Sequence, residues 1–461
     1  MPGVTWLERI MNTVADRGRE LLGLREGEAR EPLPELCRRL IAGRGEASNI
    51  ALAREILQRF EALDQAHKDA FLVTLAEQFG PDPVRIREAA AAFRGDQPDT
   101  LVRLIDAVEP PRQELFRRLN MAPHGTAGLV AMRAELLGRM RELPALSMVD
   151  ADLRHLLASW FNRGFLRLQR IDWHSPAAVL EKLMRYESVH PMSGWNDLQR
   201  RLADDRRCYG FFHPALPEEP LIFVEVALTR EMASKIAPLI DPAAPLTDPF
   251  AADTAMFYSI NNALRGLRGI SFGNFLLKQV LSDLSAEMPQ VRHFATLSPM
   301  PRFAEGLRLL LAGEIEDWPT ARLDEALADF QPALQEHSGR ESASAAVGEL
   351  LDDRDTRHEP LLGGPLARLA LLYITAMKRG GGVCCDPVAA FHLANGATLE
   401  RINVYADRSA NGWAQSHGVM VNYRYDPEQV VANHEAFVQA GRIVMSRPLQ
   451  REHDRHIAGK R

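Results

Sequence analysis

A run of glycine and arginine residues lies between a strand-like apolar segment and a helix-like apolar segment in the second half of the chain. Residues 264–280 read LRGLRGISFGNFLLKQV. The first backbone N–H groups of a helix lack partners within it, and glycine lets a ligand approach that backbone closely. The side chains of Arg265 and Arg268 add cationic donors that suit phosphate oxygens. The stretch therefore predicts a cradle for a phosphate or pyrophosphate group.

The same stretch has a second interpretation, an ordinary strand-to-helix connection whose glycines serve tight turns. It lacks the Gly-x-x-x-x-Gly-Lys-Ser/Thr pattern of a P-loop. It also lacks the Gly-x-Gly-x-x-Gly pattern of dinucleotide-binding folds, which disfavours a nicotinamide cofactor. Spacing alone leaves both interpretations open.

The segments around the loop predict the elements that must position it. Residues 255–260 form a short apolar and aromatic run, which indicates a buried strand. Helical spacing of apolar residues extends over 272–288, and Pro289 ends it. Residues 291–298 predict a second strand. The predicted order is therefore strand, glycine-rich loop, helix, strand.

Two further residues could carry chemistry. Ser298 lies at the end of the second predicted strand, where ligands of open α/β sheets gather. The prolines of Ser-Pro-Met-Pro would fix its hydroxyl group, but a serine that only caps a helix or turn is the alternative. His392 lies among apolar residues, so it is either a catalytic group or a hydrogen-bonded core histidine. The sequence has no Gly-x-Ser-x-Gly elbow and no His-Glu-x-x-His metal motif.

The composition is that of an ordinary globular protein, with 46% hydrophobic and 25% charged residues. The length of 461 residues predicts two or three domains. A formal net charge of −6 argues against nucleic acid as the main partner. The arginine pairs at 200–201 and 206–207 are interpreted as solvated helix faces. No apolar run reaches the length of about 18 residues that a membrane span needs, so none is expected.

Targeting signals and cysteine spacing predict a reduced, cytoplasmic location. The first 24 residues predict an amphipathic helix that contains acidic residues, which disfavours a secretory signal or a transit peptide. The C-terminus is not a peroxisomal Ser-Lys-Leu address. The cysteines have no metal-binding spacing and are expected to be reduced thiols: Cys37, Cys208, Cys384 and Cys385.

Two regions of different sequence pattern divide the chain. Residues 1–187 carry helical spacing throughout, with breaks at glycine and proline clusters, and they predict a helical bundle. We place the boundary near 189–195, which gives domains 1–188 and 189–461. Further predicted strands are 221–228, 399–404 and 419–425, and exposed loops are expected at 338–346 and 352–360. With helical spacing again over 305–380, the predicted fold class is an all-α bundle followed by an α/β (α+β) domain with a helical insertion.

Seven short segments of the second half carry a resemblance to a known family. They are HPMSGWNDLQRRL (190–202), RRCYGFFH (206–213), FYSIN (257–261), GLRGISFGNFL (266–276), LSPMPRF (297–303), FHLANGA (391–397) and MVNYRY (420–425). Taken together and in this order, they resemble the malonyl-CoA decarboxylases. The resemblance covers essentially the whole second half, whereas the first half is similar in length and helical character only.

The resemblance implies a helical N-terminal domain used for self-association into a homotetramer, and a catalytic domain similar to the GCN5-related N-acetyltransferases. In that fold, the loop after a central strand binds the pyrophosphate of coenzyme A through a pattern like Gln/Arg-x-x-Gly-x-Gly/Ala. Residues 268–273 are the closest match, with Ser271 where the pattern has its middle glycine and many relatives have glutamate. The residues expected to bind coenzyme A are Arg265, Arg268, Gly269, Ile270, Ser271, Phe272, Gly273, Asn274, Ser298 and His392.

The resemblance also implies a reaction, the conversion of malonyl-CoA to acetyl-CoA and carbon dioxide. The family's catalytic pair falls on Ser298 and His392, and a further active-site tyrosine falls on Tyr425. No metal, biotin or pyridoxal phosphate is expected, because the substrate thioester can hold the electron pair as an enolate. His392 is expected to donate the proton while Ser298 contacts the malonyl group, although the opposite allocation stays open.

Two other functions also stay open. An acyltransferase could use the same coenzyme A cradle with an amine acceptor. A non-catalytic acyl-CoA sensor could bind the ligand and pass a signal through the bundle. Ser298, His392 and Tyr425 occur together in matching segments, which favours an enzyme over the sensor.

Overall fold

The computed structural model describes residues 6–22, 31–270, 276–353, 356–377 and 386–458. Its N-terminal part is helical, and its C-terminal part is a mixed β-sheet covered by helices. The predicted fold class, an all-α region followed by an α/β domain, is confirmed. Within these ranges, none of the helices combines the length and the apolar character needed to cross a membrane.

The N-terminal helices follow local sequence signals. Proline stands in the first turn of several of them, where its missing N–H group leaves no helical bond unmade. The carboxylates of Asp64 and Asp82 cap two helices by accepting backbone N–H bonds. The apolar faces bury one another in a core that includes Ile56, Leu72 and Leu153. The helices are α1 (Trp6–Leu22), α2 (Leu33–Ala42), α3 (Glu46–Glu61), α4 (Gln65–Gln78), α5 (Pro83–Ala92), α6 (Pro98–Val108), α7 (Pro111–Asn120), α8 (Gly125–Arg139) and α9 (Leu146–Trp160).

One mixed sheet organises the second half of the described chain. Its strands are β1 (Arg167–Ile171), β2 (Arg206–Phe212), β3 (Ile222–Thr229), β4 (Thr254–Asn262), β5 (His293–Thr296), β6 (Ser298–Pro299), β7 (Thr398–Asn403) and β8 (Met420–Tyr425). Their order is β1-β2-β3-β4-β5-β8-β6, and β7 also pairs with β8. The β4–β5 pair is parallel and the other pairs are antiparallel. A parallel pair requires a crossover, and the chain between β4 and β5 carries the glycine-rich loop.

The remaining helices cover the sheet or form an insertion. They are α10 (Ala177–Tyr186), α11 (Trp195–Arg201), α12 (Ala237–Ile240), α13 (Leu276–Glu287), α14 (Phe303–Leu311), α15 (Thr320–Ala326), α16 (Gln331–Ser338), α17 (Ala343–Asp353), α18 (Glu359–Thr375), α19 (Pro387–Ala394), α20 (Ala410–Ser416), α21 (Val430–Ala440) and α22 (Arg447–His456). Helices α14 to α18 lie where the helical insertion was predicted. The helical character predicted for this part of the chain is therefore confirmed.

Most predicted strands are confirmed. The apolar runs at 221–228, 255–260, 399–404 and 419–425 correspond to β3, β4, β7 and β8. The segment 291–298 is extended as predicted, but it is divided between β5 and the start of β6. The helix predicted over 272–288 is present as α13 from Leu276, while 271–275 lie outside the described residues. The predicted order of strand, loop, helix and strand is therefore confirmed.

The expectation that residues 1–187 are helical throughout is wrong at Arg167–Ile171. These residues form β1, which pairs with β2 at the edge of the sheet. Most of its side chains are exposed, so this short edge strand lacks the apolar run that marks a buried strand. The boundary between residues 188 and 189 stays a prediction, although the sheet already begins before it.

The arginine pairs interpreted as solvated helix faces are buried instead. Arg206 and Arg207 lie in strand β2, whereas Arg200 and Arg201 lie in helix α11. Each of the four is at most 8% exposed. Arg201, for example, donates to the carboxylate of Glu225 at 2.6 Å. A buried guanidinium needs such a partner to balance its charge, and partners distant in the sequence give no local signal.

The loops expected at 338–346 and 352–360 are partly helical. Helix α17 begins inside the first segment, and its residues Ala343 and Ser344 are buried. Helix α18 begins inside the second segment. The carboxylate of Asp324 accepts the backbone N–H of Ser344 at 2.7 Å. A side chain from another helix thus accepts a backbone N–H group in the first turn of α17, which has no partner within that helix. The polar composition of this segment therefore predicted a loop where a helix begins.

The sheet opens between β4 and β5. Backbone pairing between these strands ends at Phe257 and Thr296, but β4 continues to Asn262. A bulge at Tyr258 shifts the register between β3 and β4 at the same level. Beyond this level, the chain after β5 turns into β6, which pairs with β8 instead of β4. The end of β4 therefore borders a gap in the sheet.

The helical region packs directly against the sheet domain. Val130 of α8 and Leu157 of α9 lie in the same hydrophobic cluster as Leu267 and Leu277. Helix α8 also contacts the single helical turn at Arg265–Leu267. The two regions share a core, and the described part of the glycine-rich loop, residues 264–270, lies at their junction.

Candidate active site

Ser298, His392 and Tyr425 form one hydrogen-bonded chain. The Oγ atom of Ser298 lies 2.9 Å from Nε2 of His392, although the two residues are 94 positions apart in the sequence. The Nδ1 atom of His392 lies 2.8 Å from Oη of Tyr425. The three residues predicted to be catalytic are therefore in contact, and their roles in catalysis stay predictions.

Three separate elements position this chain of side chains. Ser298 begins β6 and pairs with Val421 of β8. Tyr425 is the last residue of β8. His392 lies in α19, whose first turn is capped by the carboxylate of Asp386 accepting two backbone N–H bonds. The imidazole is thus carried by a capped helix, and the two hydroxyl groups are carried by paired strands.

Aromatic side chains enclose the imidazole of His392. The ring of Tyr423 stacks on it with centroids 4.6 Å apart, and the ring of Phe391 meets it edge to face at 5.2 Å. His392 is 2% exposed. Because burial disfavours the charged form, the pKa of His392 falls from its usual 6.5 to about 3. The imidazole is therefore neutral near pH 7.

The orientation of the hydrogen bonds assigns the ring proton of His392. The hydroxyl of Ser298 donates to Oγ1 of Thr296 at 2.8 Å. Since Ser298 has no second proton, its contact with His392 requires Nε2 to carry a proton and to donate it. Nδ1 then accepts from Tyr425. Burial raises the pKa of Tyr425 well above its usual value, so this hydroxyl keeps its proton.

Thr296 is part of the site although the sequence analysis did not include it. It is fully buried at the end of β5, and its Oγ1 also accepts the backbone N–H of Tyr423 at 3.2 Å. Its carbonyl accepts from Nδ2 of Asn422 at 2.7 Å. Residues two apart in an extended segment point to the same side. That alternation of Thr296 and Ser298 was the sequence signal for this residue.

A cavity of about 310 Å³ opens onto Ser298 and His392. The end of β4, beyond its pairing with β5, forms one wall, and the start of α19 forms another. The volume is at the lower end of the range for small-ligand pockets. A larger cavity of about 720 Å³ beside Arg206 and Lys235 has no lining residue in common with this site. The described residues that line the smaller cavity are Val189, Phe257, Tyr258, Ser259, Ile260, Asn262, Ser298, Pro299, Pro387, Val388, Phe391 and His392.

The first glycine of the glycine-rich loop serves packing. A Cβ atom on Gly266 would lie 1.9 Å from the carbonyl oxygen of Val130 in α8. Gly266 is buried, and its own carbonyl accepts a bond from Arg133 of α8 at 2.6 Å. Only glycine fits this close approach of two backbones. The glycine spacing predicted a close approach to the backbone here, but the close neighbour of Gly266 is a helix and not a phosphate.

The residues predicted to bind coenzyme A are in different environments. Arg265, Arg268 and Gly269 are exposed. Gly269 has a φ of 78°, and apart from its chain neighbours no atom of the described residues lies within 4 Å of its Cβ position. The guanidinium of Arg265 lies against α8, 3.2 Å from the Cβ position of Gly138. The side chain of Ile270 is buried in the core. The remaining predicted residues lie outside the described residues: Ser271, Phe272, Gly273 and Asn274.

The cysteines are remote from this chemistry where the structure describes them. Cys37 and Cys208 are buried free thiols, and burial raises the pKa of Cys37 to about 12. Cys384 and Cys385 lie outside the described residues. In the part of the chain that the structure describes, no three side chains of histidine, cysteine, aspartate or glutamate group together as metal ligands would.

Comparisons with known proteins identify one family for both halves of the chain. The model of the malonyl-CoA decarboxylase C-terminal domain matches residues 164–460, and that of the N-terminal domain matches residues 79–161. The crystal structure of malonyl-CoA decarboxylase from Rhodopseudomonas palustris is similar with a TM-score of 0.81 and 46% identity, over 91% of this chain and 98% of that chain. The enzyme of that name from Agrobacterium vitis gives a TM-score of 0.80 and 42% identity, over 93% and 100% of the two chains.

A curated animal relative extends the comparison. The mitochondrial malonyl-CoA decarboxylase of Anser anser anser is 34% identical over 412 residues, which cover 85% of this chain and 81% of the relative. The family model for the C-terminal domain also includes Ser298, His392 and Tyr425 in its matched range. The chain therefore belongs to the malonyl-CoA decarboxylase family.

Proposed function

We propose that this protein is a malonyl-CoA decarboxylase, a carboxy-lyase that converts malonyl-CoA to acetyl-CoA and carbon dioxide. Membership of the family supports the reaction. The observation that carries the proposal is the 2.9 Å contact between Ser298 Oγ and His392 Nε2 at the cavity beside the open end of β4. These two groups stand where a small acyl group attached to coenzyme A could meet a hydrogen-bond donor and a proton donor.

The chemistry needs a place for one electron pair. When the bond to the carboxylate breaks, carbon dioxide leaves and its bonding electrons remain on the α-carbon of the substrate. The adjacent thioester carbonyl takes up this charge as an enolate, so the substrate provides its own electron sink. We therefore propose that the reaction uses no metal, biotin or pyridoxal phosphate. The protein then has to hold coenzyme A, stabilise the enolate oxygen and protonate carbon.

His392 is the proposed proton donor. Its imidazole is neutral and Nε2 carries the proton next to the cavity, so the ring can act as an acid without first being charged. A positioned acid contributes roughly 10²–10⁴ in rate. Ser298 orients this N–H group in the free enzyme. With substrate bound, its hydroxyl would turn from Thr296 and donate its proton to the enolate oxygen. A preorganised donor to such an oxygen is worth about 3 kcal/mol.

Tyr425 completes the proposed proton transfer. As Nε2 of His392 gives its proton to the α-carbon, Nδ1 can take the hydroxyl proton of Tyr425, which lies 2.8 Å away. A buried tyrosinate is unfavourable, because burial raises the pKa of Tyr425. A proton from water then reaches Nε2 from the cavity while Nδ1 returns its proton to Tyr425, which restores both the hydroxyl group and the starting tautomer of His392. Over the cycle, one C–C bond breaks, one C–H bond forms and one proton is taken from solvent.

The glycine-rich loop is the proposed site for the pyrophosphate of coenzyme A. Arg268 and Gly269 are exposed at its described end, and the positive φ of Gly269 turns the chain just before α13. Arg268 is the better candidate for a phosphate contact, because Arg265 lies against α8. The open edge of β4 is then the proposed path for the pantetheine arm between the loop and Ser298, since no described strand pairs with it there.

Self-association as a homotetramer is proposed from the family and from one surface of the helical region. Helices α5 and α6 contact each other, and α5 has no buried residue. These two helices and Phe93, which follows α5, expose apolar side chains that would be covered in an assembly: Val84, Phe93, Leu101, Val102, Ile105 and Val108. Light scattering should give about four times the mass of one chain. A cytoplasmic location stays a proposal, and the animal relative is named as mitochondrial.

An acceptor-free product assay tests the proposed reaction. The purified protein is incubated with malonyl-CoA alone, and the products are identified by mass spectrometry. We expect acetyl-CoA and an equal amount of carbon dioxide. Turnover that appears only after an amine is added would indicate the alternative acyltransferase. Binding of malonyl-CoA without any product would indicate the acyl-CoA sensor.

A further inference from the structure

We propose that Arg133, in the helical region, is a positioning residue for the glycine-rich loop, the proposed site for the pyrophosphate of coenzyme A. Arg133 lies in α8 and is 1% exposed. Its Nε atom donates to the carboxylate of Asp150 in α9 at 2.8 Å, and its guanidinium also donates to the carbonyl of Gly266 at 2.6 Å. One buried guanidinium group therefore joins two helices of the bundle to the loop that follows β4.

Close packing on α8, as well as the hydrogen bond from Arg133, fixes the loop at Gly266. The backbone of Gly266 packs so closely on Val130 that any side chain at Gly266 would collide with the Val130 carbonyl. The next residue, Leu267, is 4% exposed and belongs to the core shared by both regions. The carbonyl of Gly266 then has no solvent to bond, and Arg133 satisfies it with a charge-assisted hydrogen bond.

The fixed turn leads directly to the exposed part of the loop. The backbone N–H of Arg268 donates to the carbonyl of Arg265 at 3.1 Å, so the turn that contains Gly266 also orients Arg268. A displacement of this turn would move Arg268 away from the pyrophosphate, so it would weaken the binding of malonyl-CoA without changing the groups that act on the thioester. Through Arg133, the helical region would therefore contribute to substrate binding in addition to self-association.

This role depends on the proposed binding of the coenzyme A pyrophosphate by the loop, so the test compares two substrates. Malonyl-CoA carries the pyrophosphate and the nucleotide. Malonyl-pantetheine retains the malonyl thioester and the pantetheine arm but lacks both. A correctly placed loop can improve the binding of malonyl-CoA only. A general loss of structure would affect both substrates alike.

Two variants separate the contacts of Arg133. Arg133→Met removes the bonds to both Gly266 and Asp150, whereas Asp150→Asn removes only the carboxylate and leaves the donor to Gly266 in place. For Arg133→Met, we expect KM for malonyl-CoA to rise about tenfold, or about 1.4 kcal/mol. Its kcat, and kcat/KM for malonyl-pantetheine, should stay within about twofold of wild type. For Asp150→Asn, KM for malonyl-CoA should stay within about twofold, although both variants lower the melting temperature.

Arg133→Lys serves where Arg133→Met does not fold, because it keeps the charge beside Asp150 but cannot reach both partners in the same geometry. Its KM for malonyl-CoA should rise about threefold, again without a change for malonyl-pantetheine. A KM within twofold of wild type in both arginine variants, or equal losses with the two substrates, would overturn the positioning role. A wild-type protein that does not turn over malonyl-CoA at all would overturn the proposed function, and this role with it.

Discussion

The Nδ1 atom of His392 lies 2.8 Å from the hydroxyl oxygen of Tyr425, and the opposite ring nitrogen lies 2.9 Å from Oγ of Ser298. The imidazole is thus bonded on both sides while it remains neutral. Because Ser298 donates its proton to Thr296, the hydrogen bonds run in one direction, from Tyr425 through His392 to Thr296. This direction leaves an N–H group of His392 at the cavity, and the predictions below follow from it.

The first prediction concerns Tyr425→Phe. The change leaves Nδ1 of the buried imidazole without a partner, at a cost of about 1–3 kcal/mol. We expect kcat for malonyl-CoA to fall about 10- to 100-fold with little change in KM. Steady-state kinetics measures the fall, and ¹⁵N NMR of the histidine ring should show a smaller population of the tautomer protonated at Nε2. A variant with the kcat and tautomer of wild type would contradict the proposed role of Tyr425.

The second prediction concerns Thr296, which accepts the proton of Ser298. Thr296→Val has nearly the same shape but removes the acceptor, and with it the bond that Oγ1 accepts from the backbone N–H of Tyr423. We expect kcat to fall about tenfold, equivalent to about 1.4 kcal/mol. Thr296→Ser keeps the hydroxyl group and should retain most of the activity. Equal activity of the valine and serine variants would show that the hydroxyl of Thr296 has no part in orienting Ser298.

The third prediction compares two arginines of one loop. Both arginines are exposed, but the guanidinium of Arg265 lies against Gly138 of α8, whereas Arg268 stands beside Gly269. Arg268→Ala should raise KM for malonyl-CoA about tenfold, about 1.4 kcal/mol, with kcat nearly unchanged. Arg265→Ala should change KM less than about threefold and should instead lower the melting temperature. A collapse of kcat in Arg268→Ala at unchanged KM would exclude the phosphate role.

The fourth prediction concerns pH. The pKa of His392 is about 3 in the folded protein, against a usual 6.5 when unfolded. Above pH 6.5 both states hold a neutral ring, and as the pH falls below 6.5 the unfolded state takes up the proton first. His392 therefore lowers the stability by about 1.4 kcal/mol per pH unit on acidification from 6.5 towards 3. Chemical unfolding at pH 7 and pH 5 gives the decrease in the free energy of unfolding between the two pH values. This decrease should be about 2 kcal/mol smaller in His392→Asn than in wild type, because asparagine does not titrate.

Activity provides a second check on the same titration. Since the ring is already neutral in the working enzyme, kcat should show no break near pH 6.5 that belongs to His392. A wild-type kcat that rises or falls through pH 6.5, together with equal acid sensitivity of the unfolding free energy in wild type and His392→Asn, would contradict a neutral buried imidazole.

Three of the strands that the sequence predicted share one property, a run of mostly apolar residues that is buried on both faces of the sheet. The segments that became β3, β4 and β8 are of this kind. After β4 the apolar residues change to helical spacing, and this change correctly predicted a loop followed by helix α13. Strand β2 could not be found in this way, because it begins with Arg206 and Arg207. The carboxylate that balances Arg207 belongs to Glu287, 80 residues further along the chain.

The candidate site was only partly predictable for the same reason. Ser298 and His392 were selected through the family resemblance, since no local spacing links residues 94 positions apart. Thr296 could have been found from its alternation with Ser298. The role of Gly266 could not, because the backbone of Val130 reaches it from the other half of the molecule. Local patterns gave the elements, and contacts between distant segments determined what each residue does.

The single-turnover rate of His392→Asn tests the central claim most directly. Enzyme in excess is mixed with malonyl-CoA, and acetyl-CoA is quantified over time beside wild type and Ser298→Ala, with the affinity for coenzyme A measured separately. We expect His392→Asn to form acetyl-CoA at least about 10²-fold more slowly than wild type, with an affinity for coenzyme A within about twofold. A variant that forms acetyl-CoA at the wild-type rate would contradict protonation of the enolate by His392.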